Sequence, residues 1–104
     1  MSVLPVPAEA DNVVVKDMGL QERELVQALP ALFVGYEWEQ QGNVVLASQG
    51  ESLVRLEFGP ERRRRIAAIE LPSLPVRLVF HGFSPEQRDS FLSHFNRRFQ
   101  RGGG

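Results

Sequence analysis

Four consecutive arginines, Arg62-Arg63-Arg64-Arg65, are the residues of this chain best suited to hold a ligand by charge. A guanidinium offers a planar fork of donors that matches phosphate and carboxylate, so the run is a candidate anion site. On a strand, side chains alternate between the two sides, so no more than two of the four can serve one ligand. The usual companions of a nucleic-acid interface are missing: there is no helix-turn-helix pattern, no zinc module and no pair of aromatics interleaved with basic residues on a strand. With a pI near 6.1, nucleic acid is not expected as a partner. The run reads first as a charged turn entering an edge strand, where charge discourages edge-to-edge pairing.

Groups for acid–base or metal chemistry are sparse. The two histidines, His81 and His94, have no cysteine to join them, because the chain has none. Disulfides, thiol catalysis and cysteine metal sites are therefore excluded, and no cofactor is expected. Glu37, Glu39 and Glu57 fall on one side of their strands and read as a solvated face. General acid–base work would instead need two carboxylates in different environments within a cleft. No serine sits in a nucleophile elbow, and no glycine-rich loop joins a strand to a helix in a phosphate-cradling pattern. An enzyme is the least favoured reading.

These residues have to be positioned by short elements. Val13-Val14-Val15 is expected as an edge strand. Asp17 then stands as N-cap of a short helix carrying Leu20, Leu25, Val26 and Leu29 and ended by Pro30. From Leu32 the apolar period becomes two. Val34, Tyr36 and Trp38 mark one strand, Asn43 to Ser48 a second, and Val54, Leu56 and Phe58 a third. Turns fall at Gln41-Gly42, Gln49-Gly50 and Gly59-Pro60-Glu61. Arg65 to Leu71 is expected as a further strand and Leu71-Pro72-Ser73-Leu74-Pro75 as a rigid connector. Val76, Leu78 and Phe80 mark the last strand.

The C-terminal helix is the best signalled element. Ser84 caps it, Pro85 takes its first position and Gln87 completes a capping box. Phe91, Leu92, Phe95 and Phe99 form one apolar stripe, and Gly102 is the expected stop. The end Arg101-Gly102-Gly103-Gly104 resembles, over these few residues alone, the diglycine tails of ubiquitin-like modifiers and sulfur carriers. In that family the tail leaves the final strand of a β-grasp fold. Here it follows a helix and reads as a helix stop with a frayed end.

The 104 residues fit one domain. The expectation is an α+β fold: an antiparallel meander of about five strands, packed on one face by the C-terminal amphipathic helix, with a short N-terminal helix. Residues 1–12 read as a flexible arm, 13–101 as the domain and 102–104 as a glycine tail. No segment is apolar enough over about 20 residues to span a membrane, and no secretory signal is recognisable, so a cytoplasmic protein with no membrane partner is expected. Eleven arginines against one lysine, with no threonine, suit a GC-rich bacterial genome.

Charge is segregated along the chain. Residues 1–52 carry two basic and eight acidic side chains, whereas residues 53–104 carry ten arginines and five acids. The simplest account is that the two halves face each other in the fold. The sheet face away from the C-terminal helix is expected to mix charge with large apolar groups, among them Phe33, Val45, Leu53, Arg55 and Val79, unless the N-terminal helix covers it. These residues are the candidate partner-binding set. The favoured function is a small non-enzymatic domain that binds a protein or itself. The alternative is an anion- or nucleic-acid-binding module built on Arg62 to Arg65.

Overall fold

The structure, a computed structural model, describes residues 12–99. Both the expected N-terminal arm, up to residue 11, and the glycine tail lie outside the described residues. The element order is β1 (Val13–Met18), α1 (Glu22–Leu32), β2 (Glu37–Gln41), β3 (Val44–Gln49), β4 (Ser52–Phe58), β5 (Arg62–Ile66), β6 (Ile69–His81) and α2 (Pro85–Arg98). The class is α+β with a six-stranded antiparallel sheet of order β1-β6-β4-β3-β2, in which β5 pairs with β6 alone.

Strict alternation builds the core. Along β4, Ser52, Val54, Leu56 and Phe58 are buried, while Leu53, Arg55 and Glu57 are only half-buried. The register aligns Val45, Leu56, Leu78 and Val14 in one row across the sheet, and Ala47, Val54 and Phe80 in the next. Leu25, Leu29 and Leu32 of α1 join the same buried cluster as Phe91 and Phe95 of α2. Both helices therefore pack on one side of the sheet. The expectation that the N-terminal helix might cover the other side is corrected, and no described element packs there.

Several boundaries differ from the sequence reading, each for a physical reason. Helix α1 starts from Gln21, whose backbone N–H donates to Glu24 Oε2 at 3.1 Å. Asp17 lies in β1 and caps no helix. The helix also runs through Pro30 to Leu32, because Leu29 and Leu32 are buried in the core. This proline forfeits one intrahelical donor, and only two helical residues follow it. Strand β2 begins at Glu37 rather than near Leu32. The chain turns sharply through Gly35, whose φ of 86° suits glycine.

The largest correction concerns residues 61–75. The expected strand from Arg65 to Leu71 contains a tight turn at Ala67-Ala68, which separates β5 from β6. The expected proline connector is instead part of the 13-residue strand β6. Between Phe58↔Val76 and Arg62↔Ser73, Gly59, Pro60 and Glu61 oppose only Leu74 and Pro75. That is one extra residue, a β-bulge that joins β4 to β5 and bends the ribbon. Glu61 Oε1 in this bulge accepts from the Glu22 N–H at 2.8 Å, tying the start of β5 to the start of α1. Carboxylates are favoured at a helix N-terminus.

Helix α2 matches its expectation residue for residue at the start. The Gln87 N–H donates to Ser84 Oγ at 3.1 Å, and Gln87 Oε1 accepts from the Ser84 N–H at 2.8 Å. Phe91 is the hub of the aromatic core, with its ring against those of Phe33, Tyr36, Phe80, Phe83 and Phe95. Phe95 is fully buried behind it. Truncating such a ring removes its transfer free energy and leaves a cavity. Phe95→Ala is expected to lower stability by about 3–5 kcal/mol in denaturant melts. A loss below about 1 kcal/mol would contradict this packing.

Candidate interaction surface

The five residues expected on a partner-binding face separate in the structure. Phe33 follows α1 and is buried among the aromatic rings, and Val45 lies in the core row beneath the helices. Both leave the candidate surface. Their assignment failed because Phe33 does not lie on a strand and because the register of β3 turns Val45 inward. Leu53, Arg55 and Val79 do share the other face, through the pairs Leu53↔His81 and Arg55↔Val79.

That face is built by the residues that alternate away from the helices. Its central row runs Glu39, Leu46, Arg55, Val79, Val13 across β2, β3, β4, β6 and β1. The next row toward the bulge runs Val44, Glu57, Arg77, Val15. Val79 is only 3% exposed, while Val15 is 72% exposed. Apolar and charged groups therefore alternate over a sheet surface with no helix above it.

A charge cluster sits within this face. Glu57 lies between two cations, with Oε2 at 2.8 Å from Arg55 Nε and Oε1 at 3.5 Å from Arg77 Nη1. The Arg55 contact is an ion pair without hydrogen-bond alignment. Arg55 Nε is thus buried with no hydrogen-bond partner among the described residues. At the other end of the same face, Leu46 and Leu53 floor a shallow depression of about 280 Å³ flanked by Glu37 and Glu39. Among the described residues, neither glutamate has an ion-pair partner.

The four arginines do not converge. They occupy β5, all exposed, and alternate between the two sides of a two-stranded ribbon formed with residues 69–73 of β6. Arg64 Nη2 pairs with Asp17 Oδ2 at 2.9 Å, and Arg65 Nη2 pairs with Glu70 Oε2 at 3.4 Å. Asp17 Oδ1 also accepts from Ser73 Oγ at 2.5 Å. Arg62 and Arg63 have no ion pair among the described residues. The apolar end of the ribbon was not foreseen from the sequence: Ile66, Ile69 and Leu71 are 53%, 59% and 44% exposed.

A groove of about 580 Å³ lies on the helix side, lined by Val34, Tyr36, Phe83, Glu86, Ser90 and His94 among others. Burial pushes the Tyr36 phenol up from its usual value of 10.0, so it is a neutral hydroxyl at physiological pH. His94 is exposed at the groove wall, and His81 lies on the opposite sheet face. Among the described residues, no cluster of three or more His, Asp or Glu side chains could hold a metal ion. No described helix is long and apolar enough to cross a membrane. Comparison with protein-family models, with curated proteins and with solved structures gives no match to this chain.

Two measurements check this geometry. Tyr36 is the only tyrosine, so its phenolate absorbance reports one group. Its native midpoint is expected above that in denaturant, and equal midpoints would contradict its burial. Because the folded pKa is the raised one, the associated stability is complete below pH 10 and is lost as pH rises through the folded midpoint. The second measurement concerns the arginines, two of which are engaged by acids and all of which are split between two sides. Binding to duplex DNA or single-stranded RNA is expected to be no tighter than about 10⁻⁴ M at physiological salt. Submicromolar anisotropy binding, lost in Arg63→Glu/Arg65→Glu, would contradict that.

Proposed function

We propose that this chain is a non-catalytic protein-interaction domain whose working surface is the sheet face opposite the two helices. One observation carries the reading: α1 and α2 bury their apolar stripes on the same side of the sheet. The other side is left with Val13, Val15, Val44, Leu46 and Leu53 among its charges. A sheet face meant only for water would be mostly polar. An uncovered face that mixes apolar groups with charge is a candidate surface for a protein partner. A cysteine-free chain of this kind suits the cytoplasm.

The reading separates stability from function. Leu46 and Leu53 are half-buried in a face that no helix covers. Leu46→Glu/Leu53→Glu is expected to change unfolding free energy by about 1 kcal/mol or less, the range of surface substitutions. The same variant should abolish the cross-linked species that the tagged wild-type chain forms in cells with a second copy or with another protein. Cross-linked species that persist unchanged in the variant would overturn the reading. A loss of several kcal/mol would show that the two leucines serve the fold instead.

A further inference from the structure

The β5–β6 ribbon leaves the body of the sheet at Ser73. Strand β1 ends opposite Leu74 and β4 opposite Val76, so residues 69–73 pair with β5 alone. At about 3.3 Å per residue, the ribbon's turn stands about 13 Å beyond Ser73. Every residue from Arg62 to Leu71 is exposed. Directly paired residues share a side of the ribbon. One side carries Ile66 and Ile69 at the tip, then Arg64 and Leu71, then Arg62 and Ser73. The other carries Arg65 and Glu70, then Arg63 and Pro72. The turn itself is Ile66-Ala67-Ala68-Ile69, with no polar side chain where hairpins in water favour Gly, Asn or Asp. The ribbon is thus apolar at its tip and cationic on both sides behind it.

We infer that this ribbon is a contact for an anionic lipid surface, with its tip in the headgroup layer and the arginines behind it on the lipid phosphates. The contact involves the ribbon alone and stands independently of the function proposed above. A protein can lie on a membrane without spanning it. The expectation of no membrane partner came from the lack of a spanning segment, so it does not bear on a surface contact.

The spacing of the residues supports this contact. A headgroup layer is roughly 5–8 Å deep on each side of a bilayer. With Ile66 and Ile69 at its inner limit, Arg65 and Arg64 follow at about 3 and 7 Å along the strand, and Arg63 and Arg62 at about 10 and 13 Å. The first two lie within the layer. The second two stand at its outer edge, where a long stem lets the guanidinium reach back to the phosphates. Guanidinium and phosphate then pair in bidentate fashion.

The charge that opposes such a contact is small. Glu70 is the one acid between Arg62 and Ser73, and it pairs with Arg65 at 3.4 Å. Asp17 pairs with Arg64 at 2.9 Å. Both pairs are exposed, hence weak, and phosphates can displace them. Arg62 and Arg63 have no ion pair among the described residues. With a net charge of −1 the chain as a whole is not drawn to an anionic surface. The glutamates of β2, however, stand at the far edge of the sheet, and charges are screened over about 8 Å at physiological salt. The ribbon therefore faces such a surface as a local cation. A polyanion contacted through its backbone would also satisfy the arginines. It would leave Ile66, Ile69 and Leu71 in water, at 53%, 59% and 44% exposure. A lipid surface takes both kinds of group.

The test is co-sedimentation of the full chain, at about 0.15 M salt, with vesicles of phosphatidylcholine alone or with phosphatidylglycerol added. Binding is expected to be at least tenfold tighter on the anionic vesicles. Ile66→Glu/Ile69→Glu should weaken it at least tenfold without moving the thermal midpoint, because both side chains are exposed. Each basic residue near such a surface contributes roughly fivefold, so Arg62→Gln/Arg63→Gln should weaken it roughly 25-fold. The chain has no native cysteine, so a polarity-sensitive dye can be placed at one position. On Ala68→Cys it should shift to the blue with anionic vesicles, and on Asp89→Cys of α2 it should not. Absence of binding at every lipid concentration would overturn the inference, as would binding that survives both ribbon variants. Binding that needs the arginines but ignores Ile66 and Ile69 would overturn it in favour of a general polyanion contact. So would binding to duplex DNA as tight as that to the vesicles. Vesicle binding lost in Leu46→Glu/Leu53→Glu but kept in the ribbon variants would overturn it in favour of the sheet face.

Discussion

Everything in this fold depends on the burial of one face. Strand β4 turns Val54, Leu56 and Phe58 to one side of the sheet, and the rings gathered round Phe91 pack on that side. Phe33 arrives from the end of α1, Phe80 from the central strand β6 and Phe95 from one turn further along α2. Each element alone is too short or too isolated to persist, since short helices and two-stranded hairpins are marginal in water. Packed together they enclose a core of fully buried Phe, Leu and Val side chains. The same economy leaves the second face bare. Two helices suffice to cover one side of a five-strand path, and the chain supplies no third among the described residues.

The legible parts of the fold were those specified locally. Ser84, Pro85 and Gln87 define a helix start within four residues, and the structure makes the hydrogen bonds that such a motif predicts. Strand β4 could be read from alternation because Val54, Leu56 and Phe58 are buried between the open Arg55 and Glu57, whereas both faces of β3 carry Val or Leu and its phase could not be read. The β5–β6 turn could not. It is formed by Ala67-Ala68, and Ala67 adopts a φ of 55°. Turns of this kind favour Gly, Asn or Asp, and a positive φ costs an ordinary residue about 1–2 kcal/mol. Without a turn residue, Arg65 to Leu71 looks like one continuous strand.

The prolines of β6 misled for a related reason. Proline is excluded from a strand only where its missing donor would meet a neighbour. The Gly59 N–H donates to the Pro75 carbonyl at 2.9 Å, so Pro75 turns its backbone toward the bulge, where the ladder is already interrupted. Residues of the opposite parity, Pro72 included, turn theirs toward β1. That strand ends at Met18, opposite Leu74. Pro72 therefore has no neighbour to disappoint. Neither fact is visible without the strand order. The candidate surface was half legible on the same terms. Leu53, Arg55 and Val79 followed from alternation in strands of known phase, whereas Phe33 and Val45 depended on boundaries the pattern did not set.

The segregation of charge along the chain acquires a spatial meaning from this arrangement. If the acidic first half and basic second half simply neutralised each other within one molecule, the glutamates of β2 would meet the arginines of β5. They do not: β2 is one edge of the sheet, and β5 is a ribbon beyond the opposite end of β4. The contact between the halves at the ribbon root is made by Asp17 of β1, with Arg64 and Ser73. A second link comes from Glu61, at the start of α1. These hold the ribbon in line with the body and leave its outer cations uncompensated. Opposite charges held apart on one face cannot meet by bending, because the bulge and the sheet fix their separation. They can be satisfied only by water, by salt or by another surface with the reverse polarity.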